Sequence, residues 1–488
     1  MRNILRTSES HPLHIATISA GPGLGRIGLT FCPGKKQASA LTGAWGRDVD
    51  LDVRTIAMWG AAAVVTLIEP HEFDQLQVEG LGDAIRGQHM DWLHLPIPDV
   101  STPGTAFEAA WSKVGPGLRS RVRAGFDVLV HCKGGLGRAG MIAARLLIDL
   151  GLDPVQAITS VRAVRPGAIE TSAQEKYVLG LRPLPPVLPN VQSAARRDRA
   201  IGALVGLAVG DAVGTTLEFT RRDQMPALTD MVGGGPFSLK PGQWTDDTAM
   251  ALALADSLIS NLTLNEDDLM QRFVCWHREG EYSCTGRCFD IGITTRQALS
   301  RFERDGNPVA GATDPYTAGN GSLMRLAPVA IAAWNNAAQR HDLAERQSRT
   351  THGAEEAIDA CIAYSDLIAE AVGGLPHDAI LTPRACGLAP SVAAVLAGSW
   401  QGKARSTIQS SGYVLHSLEA ALWCVARTGD FASAVLLAAN LGDDADTTAA
   451  ITGQLAGALY GYEAIPITWR SKLAWHDRLV AAATALHA

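Results

Sequence analysis

Cysteine is scarce, with eight in 488 residues at irregular positions. That excludes a disulfide-built scaffold and suits a reducing compartment. A basic excess is also missing, since Lys+Arg 42 against Asp+Glu 49 leaves a formal charge of −7. Broad electrostatic binding to nucleic acid or to an anionic membrane is not expected from that balance. No apolar run reads as long enough for a membrane span, the nearest being 389–398. The opening MRNILRTSESHPLHIATISAG holds no apolar core of signal-peptide length. The expectation is a soluble, cytoplasmic protein. Gly 49 without a triplet repeat excludes collagen, and 47% hydrophobic with 19% charged residues excludes disorder throughout.

At about 150 residues per domain, the length predicts two large domains or three ordinary ones. One boundary stands out at 182–190, RPLPPVLPN, where four prolines exclude helix and inner strand. We divide the chain into a domain at 1–182, a Pro-rich linker at 183–195 and a domain at 196–488. Before the linker, strand-like runs at 62–68, 92–97 and 128–131 alternate with helical patterns at 140–150 and 154–164. That alternation predicts an α/β domain with a mostly parallel sheet. After the linker, Ala-rich helical spacing dominates at 196–209, 248–259, 266–279, 354–371, 413–426 and 431–440, which predicts an all-α domain.

The segment 131–140, HCKGGLGRAG, lies between a predicted strand and helix. Cys132 stands at the strand end. Lys133, Gly134, Gly135, Leu136 and Gly137 form a loop that returns to Arg138 at the helix start. Glycines let such a loop curl with its amides inward, and the helix N-terminus adds positive potential. The setting favours a thiolate beside a bound phosphate, which Arg138 can grip with two nitrogens. Lys35 and Lys36 in CPGKK read as a solvated loop. GPGLGRIG at 21–28 reads as turn chemistry, because its spacing fails the dinucleotide pattern.

Over roughly 25–177 this part resembles the cysteine-dependent protein phosphatases, in particular the small dual-specificity and kinase-inhibitor-3-like branch. The resemblance implies that Cys132 attacks phosphorus through a phosphocysteine intermediate while Arg138 stabilises the transition state. It makes Asp99, in HLPIPD, the acid that protonates the leaving oxygen, and Gln174 a water-positioning group. One position departs from the family, since Ala139 replaces the usual Ser or Thr that helps the thiolate leave. A phosphatase with slow second-step chemistry and a phosphate-binding module without turnover both stay open.

Three acidic motifs mark the helical part: GLAVGDAVG ending at Gly214, WTDDT at 244–248 and GDDADTT at 442–448. Thr245, Asp246 and Asp247 sit where one helix should begin; Asp444, Asp446 and Thr447 sit where another should. Helix capping explains one acid at each start. Two such clusters also supply an all-oxygen ligand set suited to Mg²⁺ or Mn²⁺.

With CFDIG at 288–292, GNGSLMR at 319–325 and THG at 351–353, these motifs resemble the ADP-ribosylglycohydrolases over about 196–462. That family includes the dinitrogenase-reductase-activating glycohydrolase and the ADP-ribosyl-acceptor hydrolases. The resemblance implies a compact all-α bundle with two Mg²⁺ (or Mn²⁺) ions on Thr245, Asp246, Asp247, Asp444, Asp446 and Thr447. It gives Glu218 the role of a mobile catalytic glutamate, and has Asp290 contact substrate or polarise water. It has the loop of Gly319, Asn320, Gly321, Ser322, Leu323 and Met324 meet ADP-ribose together with His352, the loop amides on the diphosphate. Zinc on Cys275, His277, Cys284 and Cys288 is not expected, because the spacing fits no standard zinc pattern.

The combined expectation is a multidomain, bifunctional hydrolase acting on an ADP-ribosylated protein or small molecule and on a phosphorylated substrate. Its alternatives are a glycohydrolase with a phosphate-reading domain and a non-catalytic ADP-ribose-binding scaffold. Arginine, serine, a nucleic-acid end and a free metabolite all stay open as acceptors.

Overall fold

Strand side chains alternate between two faces, so a sheet covered on both sides needs apolar residues at every position. The run Ala61–Thr66 meets that demand and is buried throughout. In the computed structural model, which describes residues 5–40, 43–261 and 263–488, the chain forms two units. The first takes the residues up to Val187 with Gln401–Ala404 and Ala426–Gly429, and the second takes the remainder.

The first unit runs β1 (Ala16–Ser19), β2 (Arg26–Phe31), β3 (Lys36–Ala40), β4 (Gly43–Gly46), α1 (Val49–Trp59), β5 (Ala61–Thr66), α2 (Pro70–Leu76), α3 (Leu81–Arg86) and β6 (Asp91–His94). It continues with α4 (Thr105–Arg123), β7 (Asp127–Cys132), α5 (Gly137–Asp149), α6 (Pro154–Val164) and α7 (Ser172–Gly180). The sheet order is β1-β2-β7-β5-β6. All neighbours are parallel except β1, which is antiparallel to β2. Val128 and Val130 of β7 join one core with Ile142 and Leu146 of α5, while Leu129 joins the other with Val53 and Ile56 of α1. Cys132, two residues after Val130, therefore lies on the α5 side.

Several features differ from the sequence reading. Residues 26–28, read as the end of a turn, open strand β2. The strand expected at 92–97 ends at His94. Leu95 and Ile97 still donate to the carbonyls of Thr66 and Leu67, but Pro96 and Pro98 have no amide to continue the ladder. The antiparallel β1 and the separate β3–β4 hairpin were not anticipated; ATIS, KQASA and GAWG carry too little apolar alternation to announce themselves.

The second unit is helical, with α8 (Ser193–Gly214) and α9 (Asp246–Asn261) as its first long helices. The helix α8 starts three residues before the expected 196 and runs on through the Gly-Asp motif. Among the described residues Ser193–Leu217, and not 389–398, is the segment of membrane-span length, with mean hydropathy 1.6 over its most apolar window; 89% of that window is buried inside the protein. Asp211 and the interspersed glycines hide the run in the sequence. Those glycines face the helix Ala445–Tyr460. A Cβ on Gly210 would lie 2.1 Å from the Ala449 carbonyl oxygen, and one on Gly214 would lie 2.4 Å from that of Ala445. Only bare backbone permits this approach, which carries Asp211 to the start of the facing helix. Arg199 near the start of α8 is buried and donates to the carbonyls of Val372 and Asn190.

Two candidate active sites

The cysteine loop is shaped by backbone contact. Gly135 has φ +69°, and a Cβ there would stand 2.5 Å from the backbone of Thr30 and Phe31. Glycine alone satisfies both conditions. The loop so folded turns the Gly135 N–H onto Cys132 Sγ at 3.2 Å. Arg165 holds its outer side, donating to the carbonyls of Gly135 and Gly134 at 3.1 and 3.3 Å. The reading of Lys35 as solvated is corrected, because it is buried beneath the loop. Its Nζ donates to the Lys133 carbonyl at 3.3 Å and lies 4.7 Å from the Phe31 ring centroid. Burial brings its ammonium down to about 8. Lys36 is exposed.

Arg138 enters the site at the start of α5. Its Nη1 donates to Glu72 Oε2 at 2.5 Å and to the Ile97 carbonyl at 3.1 Å. Its Nη2 donates to Glu72 Oε1 at 3.0 Å and meets Asp99 Oδ1 at 2.8 Å. Asp99 is half exposed at this mouth, while Arg138 and Glu72 are buried. Burial pushes the Glu72 carboxyl up, but Arg138 more than offsets it and holds the group below its ordinary range. Sequence reasoning missed Glu72. The available signal was Glu69-Pro-His-Glu72 following a buried strand, where Glu72 also accepts the Glu69 N–H at 2.9 Å and closes a capping box.

Gln174 is buried against the loop, with its amide 2.8 Å from where a Gly137 Cβ would be. Its Oε1 accepts from the Glu170 N–H and its Nε2 donates to the Ser101 carbonyl. Ala139 is wholly buried in α5. Behind the nucleophile, His131 Nε2 pairs with Thr66 Oγ1 at 2.7 Å, and Trp92 Nε1 donates to the same hydroxyl at 2.8 Å.

In the helical unit the capping question resolves through other residues. Asp211 Oδ1 accepts from Thr245 N–H and Oγ1, and its Oδ2 from Thr248 N–H and Oγ1, at 2.6–3.0 Å. Glu218 Oε2 accepts the amides of Ala445 and Asp446 at 2.7 and 3.2 Å. The start of α9 is thus held by Asp211 and that of Ala445–Tyr460 by Glu218. The acids of the two motifs are left for another task.

They converge. Asp211, Asp247 and Asp446 offer oxygens within 4.8 Å of one another, and so do Glu218, Asp444 and Asp446. Thr245 Oγ1 lies 3.2 Å from both Asp247 Oδ2 and Asp446 Oδ2, and Thr447 Oγ1 lies 3.4 Å from Asp247 Oδ2. Asp246 is buried but falls outside both carboxylate groups. Asp211, from the Gly-Asp motif, lies inside one. Burial first, and neighbouring carboxylates second, push Asp211 and Asp444 up to about 7 and Asp290 up to about 9. Asp246 and Asp247 are raised by the same causes. Asp247 Oδ1 is buried with no hydrogen-bond partner. An all-oxygen set around an unpartnered carboxylate oxygen is the donor chemistry that suits Mg²⁺ or Mn²⁺.

Glu218 is 4% exposed. Burial and then Asp446 hold its carboxyl far above the ordinary range. Phe219, Asp290 and Asp443 sit beside these acids with left-handed φ of 57°, 60° and 56°. Strained non-glycine backbone of this kind gathers at functional sites.

The Gly319–Met324 loop corrects an expectation. The amides of Gly319, Asn320, Leu323 and Met324 donate to carbonyls of the protein. That narrows its candidate diphosphate donors to Gly321 and Ser322. Asn320 Nδ2 reaches Asp444 Oδ2 at 2.7 Å and ties the loop to the acids. Ser322, Leu323 and Met324 are buried. His352 is buried behind the loop, where a Gly321 Cβ would lie 2.6 Å from its ring. Its Nδ1 pairs with Thr351 Oγ1 at 2.8 Å, and burial, then Arg325, lower it to about 3. Cys288 Sγ lies 3.6 Å from His277 Nδ1, yet among the described residues the metal-capable groups are carboxylates alone.

Comparison with known proteins agrees with both halves. Residues 192–488 match the family model for ADP-ribosylglycohydrolase, and residues 44–178 match that of the Swiss Army Knife protein, DSP-PTPase phosphatase domain. Over 295 residues the chain is 46% identical to ADP-ribosylarginine hydrolase Tri1 of Serratia proteamaculans (strain 568), covering 60% of this chain and 80% of that one. A solved structure of an ADP-ribosylglycohydrolase-related protein complex matches with a TM-score of 0.54 at 41% identity, over 60% of this chain and 98% of its own. The N-terminal part is 32% identical over 155 residues to cyclin-dependent kinase inhibitor 3 of Rattus norvegicus, covering 31% of this chain and 69% of that one. The chain belongs to the ADP-ribosylglycohydrolase family and carries a DSP-type phosphatase domain ahead of its glycohydrolase domain.

Proposed function

We propose that this protein is a bifunctional hydrolase. Its helical domain releases ADP-ribose from modified arginine with the help of Mg²⁺, and its N-terminal domain hydrolyses phosphomonoesters through Cys132. The observation that carries the first activity is the buried, unpartnered Asp247 Oδ1 among the oxygens of Thr245, Asp446 and Thr447. The arginine acceptor comes from the name of the Serratia relative.

Asp247, Asp446, Asp444, Thr245 and Thr447 would hold two Mg²⁺ (or Mn²⁺) ions, with Asp211 fixing Thr245 in place. Bound there, the ions supply positive charge for the ribose hydroxyls and for a water at the anomeric carbon. The glycosidic C–N bond breaks as charge builds on the ribose. Glu218, fixed by two amides within reach of Asp444 and Asp446, orients the water, and the departing guanidine takes its proton. Asn320 keeps Asp444 oriented.

At the other site Cys132 Sγ bonds to phosphorus as the ester oxygen leaves with a proton from Asp99. Arg138, held from behind by Glu72, offers the equatorial oxygens the side it turns to Asp99. Water then releases phosphate from the thiol, with no hydroxyl at Ala139 to assist. A reactive thiol of this kind suits a reducing cytoplasm.

Two assays test the proposal. ADP-ribose release from an ADP-ribosylated arginine peptide should need Mg²⁺ and vanish with Asp444→Asn; release that survives both would sink the metal reading. Sustained phosphate release from an aryl phosphate should vanish in Cys132→Ser. If wild type shows no turnover but binds phosphopeptide, the second reading, a phosphate-recognition domain, takes over. Ala139 is the observation that favours it.

A further inference from the structure

Three phenylalanines border the acidic site and have no part in the chemistry above. Phe219 directly follows Glu218, and Phe289 directly precedes Asp290. Phe237 lies between them, its ring centroid 6.3 Å from that of Phe219 and 5.1 Å from that of Phe289, at interplanar angles of 73° and 54°. Phe219 is 68% exposed, whereas Phe237 and Phe289 are half-buried. The rings thus make an open aromatic wall rather than a core.

The wall is held at a cost to the backbone. Phe219 adopts φ 57°, and its N–H donates to the Asp443 carbonyl at 2.8 Å. Gly235, two residues before Phe237, has φ +64°, and a Cβ there would sit 2.0 Å from the Thr215 carbonyl oxygen. A fold that spends left-handed conformations to keep a large apolar side chain in water uses that side chain for a ligand.

The ring chemistry selects the ligand. Aromatic faces attract a delocalised cation, and a planar guanidinium stacks on them as no hydroxyl or phosphate does. We propose that Phe219, Phe237 and Phe289 form the acceptor subsite, which takes the guanidinium of ADP-ribosylated arginine and holds its glycosidic nitrogen over the acids. This inference rests on the arginine reading above and gives it a physical basis: selectivity for arginine over serine resides in these rings.

The test uses the full chain in Mg²⁺ with Phe219→Ala, Phe289→Ala and Phe219→Trp. KM and kcat are measured on an ADP-ribosylated arginine peptide, and the Kd of free ADP-ribose by calorimetry. Each alanine variant should raise KM about 5- to 30-fold, the range of a desolvated cation–aromatic contact. ADP-ribose affinity should stay within about twofold, and Phe219→Trp should restore KM. An unchanged KM would overturn the subsite. So would a parallel loss of ADP-ribose affinity, which would assign the rings to adenine. Wild type that releases nothing from the arginine peptide, yet does release ADP-ribose from a serine peptide, would show instead that the arginine reading itself has failed.

Discussion

Glu72 grips both terminal nitrogens of Arg138, at 2.5 and 3.0 Å, and both side chains are buried. Arg138 is therefore oriented before any substrate arrives. Only its mouth-side contact, with the half-exposed Asp99, faces solvent. Removing one member of a buried pair strands the other's charge. Glu72→Ala should cost the N-terminal domain about 3–5 kcal/mol in urea unfolding. A loss below about 1 kcal/mol would show that the pair behaves as a surface bridge.

Asp99 should matter for chemistry and little for folding. Asp99→Asn is expected to lower aryl-phosphate turnover by about 10²-fold, the usual worth of a positioned acid, with an unchanged melting temperature. Ala139→Ser should raise steady-state turnover several-fold while leaving the first-turnover burst alone. Equal effects on both phases would mean that breakdown of the intermediate is not limiting.

Asp211 uses both oxygens on Thr245 and Thr248. A residue that orients ligands in this way commonly changes metal affinity by about 10–100-fold when replaced. Asp211→Asn should weaken Mg²⁺ binding by that factor in calorimetry. Mg²⁺ should also raise the melting temperature of the wild type by mass action, and Asp247→Asn should remove that rise.

His131 and His352 are both buried, and burial lowers each from 6.5 to about 3. Folded, they are neutral; unfolded, they take a proton near pH 6.5. Their contribution is whole above pH 6.5 and is lost as pH falls toward 3, because the unfolded chain then binds more protons. Between pH 7 and 5 each domain should lose about 2 kcal/mol on this account. NMR titration checks the cause, and either imidazole titrating near 6.5 would refute it.

Much of this was legible without coordinates. Arg138 meets Asp99, and Asp247 and Asp444 each lie beside Asp446. The residues that hold them were not legible. Glu72 lies 66 positions from Arg138, and a lone glutamate after Pro-His reads as an ordinary helix cap. Asp211 sits in the middle of an apolar helix, where no local pattern says which amides it will take. Lys35 read as solvated because a lysine in a Pro-Gly loop usually is; its burial depends on Phe31 and Trp45 being brought alongside it.

The sequence by itself determined which residues are candidates for the chemistry, because a cysteine–arginine loop and clustered acids are fixed by residue type and short spacing. It also determined the fold class of each half, since strand and helix periods are local. The tertiary structure decided which groups support them. Gly210 and Gly214 permit two helices to touch backbone to backbone, and that contact alone places Asp211 against Asp446. Three phenylalanines, from segments that sequence spacing does not connect, become one wall beside the acids. Contacts between distant segments depend on packing, and packing is not written in any single stretch of the chain.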